Sequence, residues 1–144
     1  METTTSASAV LPRRTILLVD DSATTLMVQR MILRTGPYDL IVARDGREAI
    51  ELATSRFPDL VLLDVVMPGM SGVEVCAELR SLESTRATPI IMVTTRGDRR
   101  CVEQAAGAGC SDYITKPIDG IELLNKVRAA LRGRCDRNTT TETL

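Results

Sequence analysis

Ile16-Leu17-Leu18-Val19-Asp20-Asp21-Ser22 passes from four aliphatic residues straight into two acids and a serine. A short apolar run without polar alternation is the pattern of a strand buried on both faces of a parallel sheet. The acids fall at its carboxyl end, the edge where open α/β sheets build their sites. The same arrangement recurs where Leu60-Val61-Leu62-Leu63 leads into Asp64. Two such strands deliver three carboxylates, Asp20, Asp21 and Asp64, to one rim. Like charges held together raise one another's pKa unless a cation neutralises them. Magnesium suits this role, because it takes one or two carboxylates, keeps several waters and completes its octahedron with phosphate oxygens. The constellation points to phosphoryl chemistry.

Outward from these two runs, strands are expected over 15–19, 40–43, 60–63, 90–94 and 113–115, each followed by a helical stretch. Ser22 is the expected N-cap of the first helix, with Met27/Met31 and Val28/Ile32 as inward i, i+4 pairs and an end near Gly36-Pro37. Ala49, Ile50, Leu52 and Ala53 mark the second helix, which closes before Pro58. Ser71-Gly72-Val73-Glu74 reads as a capping box opening the third, whose Val75, Cys76 and Leu79 face the sheet. The fourth is expected over 98–106, stopped by Gly107 and Gly109, and the fifth carries an apolar stripe of Ile121, Leu124, Val127 and Leu131. Five βα units with short connections imply a doubly wound α/β fold, flavodoxin-like, with a five-stranded parallel sheet. The strand order 2-1-3-4-5 sets the ends of strands one and three side by side, so that Asp20, Asp21 and Asp64 converge.

At 144 residues the chain is expected to hold one domain, over 15–133, between polar Thr-rich disordered tails at 1–14 and 134–144. A formal net charge of −1, from 18 basic and 19 acidic residues, gives no general attraction to nucleic acid or anionic membrane. Cys76, Cys101, Cys110 and Cys135 form no CxxC spacing, and the chain has no histidine, so reduced thiols are expected rather than a zinc site. The N-terminus lacks the basic and apolar regions of a secretory signal, and no run approaches the ~20 apolar residues that span a bilayer. A cytoplasmic protein is expected.

Val19-Asp20-Asp21-Ser22, Leu63-Asp64-Val65-Val66-Met67-Pro68-Gly69, Met92-Val93-Thr94-Thr95 and Tyr113-Ile114-Thr115-Lys116-Pro117 stand in order on the expected strand ends. In these motifs the chain, over about 15–131, resembles the response-regulator receiver domain, the phosphoacceptor module of two-component signalling. The resemblance implies that Asp64 takes a phosphoryl group from a histidine kinase or phosphotransfer protein. It implies Mg2+ or Mn2+ held by Asp21, Asp64 and the backbone carbonyl of Val66, with Asp20 acting through water. It implies that Lys116 pairs with Asp64 and then with the phosphoryl group, aimed by a cis bond to Pro117, and that the Thr94 hydroxyl donates to a phosphoryl oxygen. Thr94 and Tyr113 match the family's switch pair: the threonine moves, the ring rotates inward, and the face of the fourth helix, fifth strand and fifth helix is rebuilt for a downstream target. Pro68 and Gly69 shape the loop after Asp64, Pro by fixing φ and Gly by supplying φ > 0.

Departures from the family pattern are also visible. Thr95 stands where alanine is frequent, and Val66 and Arg96 flank the path of an attacking water at positions that vary widely. The expected protein is a monomeric single-domain regulator, not an enzyme in its own right, that signals by phosphorylation-dependent protein binding, with chemotaxis or motility as the setting. The competing expectation is a receiver-like scaffold or localisation module that needs no phosphorylation.

Overall fold

The computed structural model describes residues 13–95, 103 and 106–143, with side chains through residue 132. In chain order the elements are β1 (Arg14–Val19), α1 (Ala23–Leu33), β2 (Tyr38–Ala43), α2 (Gly46–Arg56), β3 (Leu60–Asp64), α3 (Gly72–Ser81) and β4 (Ile90–Thr95). A helical segment follows, α4, of which residues 103 and 106–108 are described, then β5 (Asp112–Lys116) and α5 (Gly120–Thr143). The five strands are parallel in the order β2-β1-β3-β4-β5. Val19 pairs with Leu63, so Asp20 and Asp64 both stand one residue past the same rung.

The aliphatic runs divide by parity. Leu17, Val19, Val61, Leu63, Ile90 and Met92 face one side, where α2 and α3 cover them. Ile16, Leu18, Leu60, Leu62, Ile91 and Ile114 face the other, beneath α1 and α5. Both faces are covered, so no strand needs a polar alternate, and each buried aliphatic side chain contributes about 1.5–3 kcal/mol relative to exposure.

Helix starts follow the expected chemistry. Ser22 Oγ accepts from Thr25 N–H, and Ser71 and Glu74 form a reciprocal capping box. Val75, Cys76 and Leu79 are buried. The inward face of α1 differs from expectation: Met27 and Met31 are each 60% exposed, and Leu26, Gln29 and Leu33 are the buried set. Val28 is exposed as well, while Ile32 packs partly against the core. The line that meets the sheet is 26/29/33. A polar residue, Gln29, occupies its middle, and its Oε1 accepts no hydrogen bond among the described residues. On α5 the buried line is Leu123, Val127 and Leu131, with Leu124 at its flank and Ile121 outside.

Arg14, expected to end the first tail, is the opening residue of β1, and Arg13 pairs with Asp39 at 2.7 Å. Gly107 lies within helix, and the turn falls at Gly109, whose φ of 102° is open to glycine and strained for other residues. The expected start of that helix lies outside the described residues, as do Arg96, Arg99, Arg100 and Cys101. Helix α5 continues to Thr143 where a disordered tail was expected. No proline follows Pro117, so no backbone donor is removed and the bonding continues past Leu131, the last described side chain that the helix buries. Cys76 and Cys110 are free thiols. Burial pushes Cys76 up to about 11, and its Sγ donates to the Ala108 carbonyl at 3.5 Å.

The segment between α3 and β4 is organised by Arg80. Its Nε donates to the Gly109 carbonyl at 2.8 Å, and its Nη1 to the carbonyls of Thr85, Arg86 and Thr88 at 3.2, 3.1 and 2.7 Å. Arg80→Met keeps most of the stem and leaves these carbonyls without their cation. It is expected to lower the free energy of urea unfolding by about 2–3 kcal/mol; a midpoint equal to wild type would show that water replaces the guanidinium without loss.

Candidate functional site

The site is assembled by strand ends. Asp20 follows β1, Asp64 ends β3, Thr94 lies near the end of β4, and Lys116 ends β5. Oxygens of Asp20, Asp21 and Asp64 lie within 4.8 Å of one another, a grouping without a second example among the described residues. Asp20 is fully buried, Asp64 is 5% exposed, and Asp21 faces solvent. Asp20 Oδ1 accepts from the Ser22 N–H at 2.8 Å, so one carboxylate tightens the start of α1 while its other oxygen points into the cluster.

Lys116 supplies the opposing charge. Its Nζ lies 3.4 Å from Asp20 Oδ2 and 3.5 Å from Asp64 Oδ1. The Lys116-Pro117 peptide bond is cis. Asp64 Oδ1 also accepts a long bond, 3.4 Å, from the Val66 N–H. Burial, then the neighbouring Asp20 carboxylate, pushes the Asp64 carboxyl up to about 6, against the opposing pull of Lys116 and the Val66 N–H. One ammonium does not balance three carboxylates.

The residues fit a hard divalent cation. All three donors are carboxylate oxygens, and Asp20 Oδ2, buried and facing Lys116 Nζ at 3.4 Å, accepts no hydrogen bond among the described residues, so it can still face a metal-bound water or an ion. Thr94 is 2% exposed and its Oγ1 has no hydrogen-bond partner among the described residues, a donor held at the rim. Val66 is exposed beside the site, and Pro68 and Gly69 turn the chain behind it, Gly69 at φ 80°. Tyr113 is 42% exposed on the outer side of β5, so its ring stands outside the core.

Three further residues, not singled out by the sequence motifs, also shape the site. Arg44, just past β2 on the same rim, donates from its guanidinium to the Asp21 carbonyl at 3.0 Å. Gly72 opens α3 against the end of β3: its N–H donates to the Val65 carbonyl at 2.8 Å, and a Cβ on it would lie 2.1 Å from the Asp64 carbonyl oxygen. Lys126 donates to the Tyr113 carbonyl at 2.6 Å. The available signals were a basic residue at a strand end and a glycine inside a capping box; nothing in the sequence pointed to Lys126.

No helix among the described residues is long and apolar enough to cross a membrane. Residues 16–128 match the response regulator receiver domain family. The response regulator PleD of Caulobacter vibrioides is 39% identical over 120 residues, covering 81% of this chain and 26% of its own length. The DNA-binding response regulator MtrA of Mycobacterium tuberculosis is 40% identical over 124 residues, covering 86% of this chain and 53% of its own. The chain thus spans between a quarter and about half of these curated relatives. Among solved structures, the chemotaxis protein CheY4 of Vibrio cholerae superposes with a TM-score of 0.78 at 29% identity, over 83% of this chain and all of that one. Family match, relatives and strand order agree, and the chain belongs to the response regulator receiver domain family of two-component signalling.

Proposed function

We propose that Asp64 is the phosphoacceptor of this receiver domain, and the observation that carries the reading is the meeting of three carboxylates and one ammonium at a single rim. A receiver domain implies a histidine kinase or phosphotransfer protein as donor. An Asp64 oxygen attacks phosphorus, the bond from phosphorus to the donor imidazole nitrogen breaks, and its electron pair stays on the ring. The product is an acyl phosphate, energetic and hydrolysable, as a reversible signal requires. Asp21, Asp64 and the Val66 carbonyl would hold magnesium, with Asp20 acting through water. When bound, the ion would supply charge that offsets the repulsion between carboxylate and phosphoryl oxygens. Lys116, a compact cation on a flexible stem, exchanges its carboxylate partner for a phosphoryl oxygen. The Thr94 hydroxyl donates to another, which gives its unpartnered Oγ1 an acceptor.

The withdrawal of Thr94 toward the phosphoryl group makes room for the Tyr113 ring to turn inward, and the surface of α4, β5 and α5 presents the change to a protein target. We read the chain as a cytoplasmic, monomeric regulator that acts by protein binding in chemotaxis or motility. Its likeness to the whole length of CheY4 supports that setting.

The test is incubation with a small acyl phosphate and magnesium, followed by peptide mapping. The expected result is one phosphoryl group per chain on the peptide containing Asp64, removed by hydroxylamine and absent when a chelator takes the metal. A label that resists hydroxylamine, or that maps to another residue, overturns the assignment.

A further inference from the structure

Lys126 lies on α5 with its ammonium over the start of β5. Its Nζ donates to the Tyr113 carbonyl at 2.6 Å and to Asp112 Oδ1 at 3.2 Å, and lies 3.6 Å from Glu122 Oε2, one turn back on the same helix. These three contacts go to backbone or to neighbouring side chains, so none depends on where the Tyr113 ring points. They fix a cation beside the strand. The Tyr113 ring, on the outer side, lies with its centroid 5.2 Å from that same Nζ, within the range of cation–π attraction.

We propose that Lys126 is the latch that holds Tyr113 in its outward position, a positioning residue whose ring contact stabilises one state of the switch and not the other. The inference rests on the reading of Tyr113 as the moving group. Turning the ring inward gives up the cation while leaving the other bonds of Lys126 in place. A contact made in one state alone shifts the equilibrium by its full strength. At an exposed site that strength amounts to about a two- to fivefold bias toward the outward ring. Phosphorylation must overcome this bias, so the latch sets the resting level of the signal without touching the acceptor chemistry.

The chain contains two tyrosines, Tyr38 and Tyr113, so uniform labelling with 3-fluorotyrosine gives two fluorine resonances, and Tyr113→Phe assigns them. The full chain is observed alone and with magnesium and beryllofluoride, a phosphoryl mimic. Lys126→Met keeps the aliphatic stem and removes the cation. Its Tyr113 resonance is expected to move toward the beryllofluoride position without any mimic, as about a two- to fivefold larger inward population requires. The further shift on adding beryllofluoride should shrink in proportion, which a change in local field alone would not produce. Lys126→Arg, which retains a cation, is expected to stay at the wild-type position. The Tyr38 resonance, from a buried ring at the start of β2, checks that each variant is folded.

A wild type that responds to beryllofluoride beside a Lys126→Met protein whose resting resonance has not moved overturns the latch. So does an equal displacement in Lys126→Arg. A wild-type Tyr113 resonance that ignores beryllofluoride defeats the reading of Tyr113 as the moving group, and the latch with it.

Discussion

Asp64→Asn is expected to take phosphoryl incorporation to background and, in the same protein, to raise the stability of the metal-free state at neutral pH by about 2 kcal/mol. The two effects have one origin. The Asp64 carboxyl is raised from an ordinary 3.8 to about 6, first by burial and then by Asp20, so the folded state holds its proton more tightly than the unfolded chain does. Folding therefore gains from protonated Asp64 below about pH 4, and that gain is lost as the pH rises through about 6. At neutral pH the ionised carboxylate opposes the fold by about 3 kcal/mol at face value, reduced to about 2 by the water that reaches the rim. Asparagine has nearly the same shape and no charge. Urea unfolding of both proteins across this pH range reads Asp64 together with the Asp20 and Lys116 charges that face it, because the titrating groups outside the cluster largely cancel in the difference. Wild type should lose stability relative to the variant between about pH 4 and 6 and recover it on addition of magnesium. An Asp64→Asn protein less stable than wild type at neutral pH would contradict the electrostatic account.

Gly72→Ala is expected to cost about 3–4 kcal/mol, the sum of an overpacked contact and a lost backbone hydrogen bond. The added Cβ would lie 2.1 Å from the Asp64 carbonyl oxygen and 2.8 Å from both the Asp64 carbonyl carbon and the Val65 Cα. All three are backbone atoms, so no side chain can swing away. The start of α3 must lift from the end of β3, breaking the bond from Gly72 N–H to the Val65 carbonyl and displacing the carboxylate that β3 presents. Gly69→Ala is the control. Gly69 has a φ of 80°, but a Cβ there would meet nothing within 4 Å, so only its backbone conformation resists alanine, at about 1 kcal/mol. Urea midpoints for the two variants separate the effects. Equal losses would show that α3 yields without the proposed collision.

The sheet was legible because its strands are continuous aliphatic runs, a pattern that tolerates little ambiguity once both faces are buried. Asp20, Asp21 and Asp64 could be brought together from sequence because five short βα connections imply a flavodoxin-like fold, whose usual order 2-1-3-4-5 sets strands one and three side by side. The phase of α1 was not legible. Met27 and Met31 are more apolar than Gln29, and the Ser22 cap was itself legible, yet Gln29 goes inside. Composition cannot reveal that choice, since it depends on where the helix axis lies over the sheet. Gly72, Arg44 and Lys126 were hidden for a related reason: each acts on a residue far from it in sequence or on another element, and only the approach of the two elements gives it a role. Asp64 stands apart from Gly72 by eight positions, but the collision that makes glycine necessary exists only when α3 folds back onto the strand.

The rung shared by Val19 and Leu63 has a consequence for how this protein can be monitored. Side chains alternate between faces along a strand, so a slip of β3 by a single residue against β1 would turn Asp64 away from Asp20 and expose a row of leucines and valines to the wrong layer. No partly paired sheet would carry the acidic cluster. With the cluster as the proposed ion site, affinity for a divalent ion would measure strand alignment, and an ion titration during refolding would count the correctly aligned molecules rather than those that are merely collapsed.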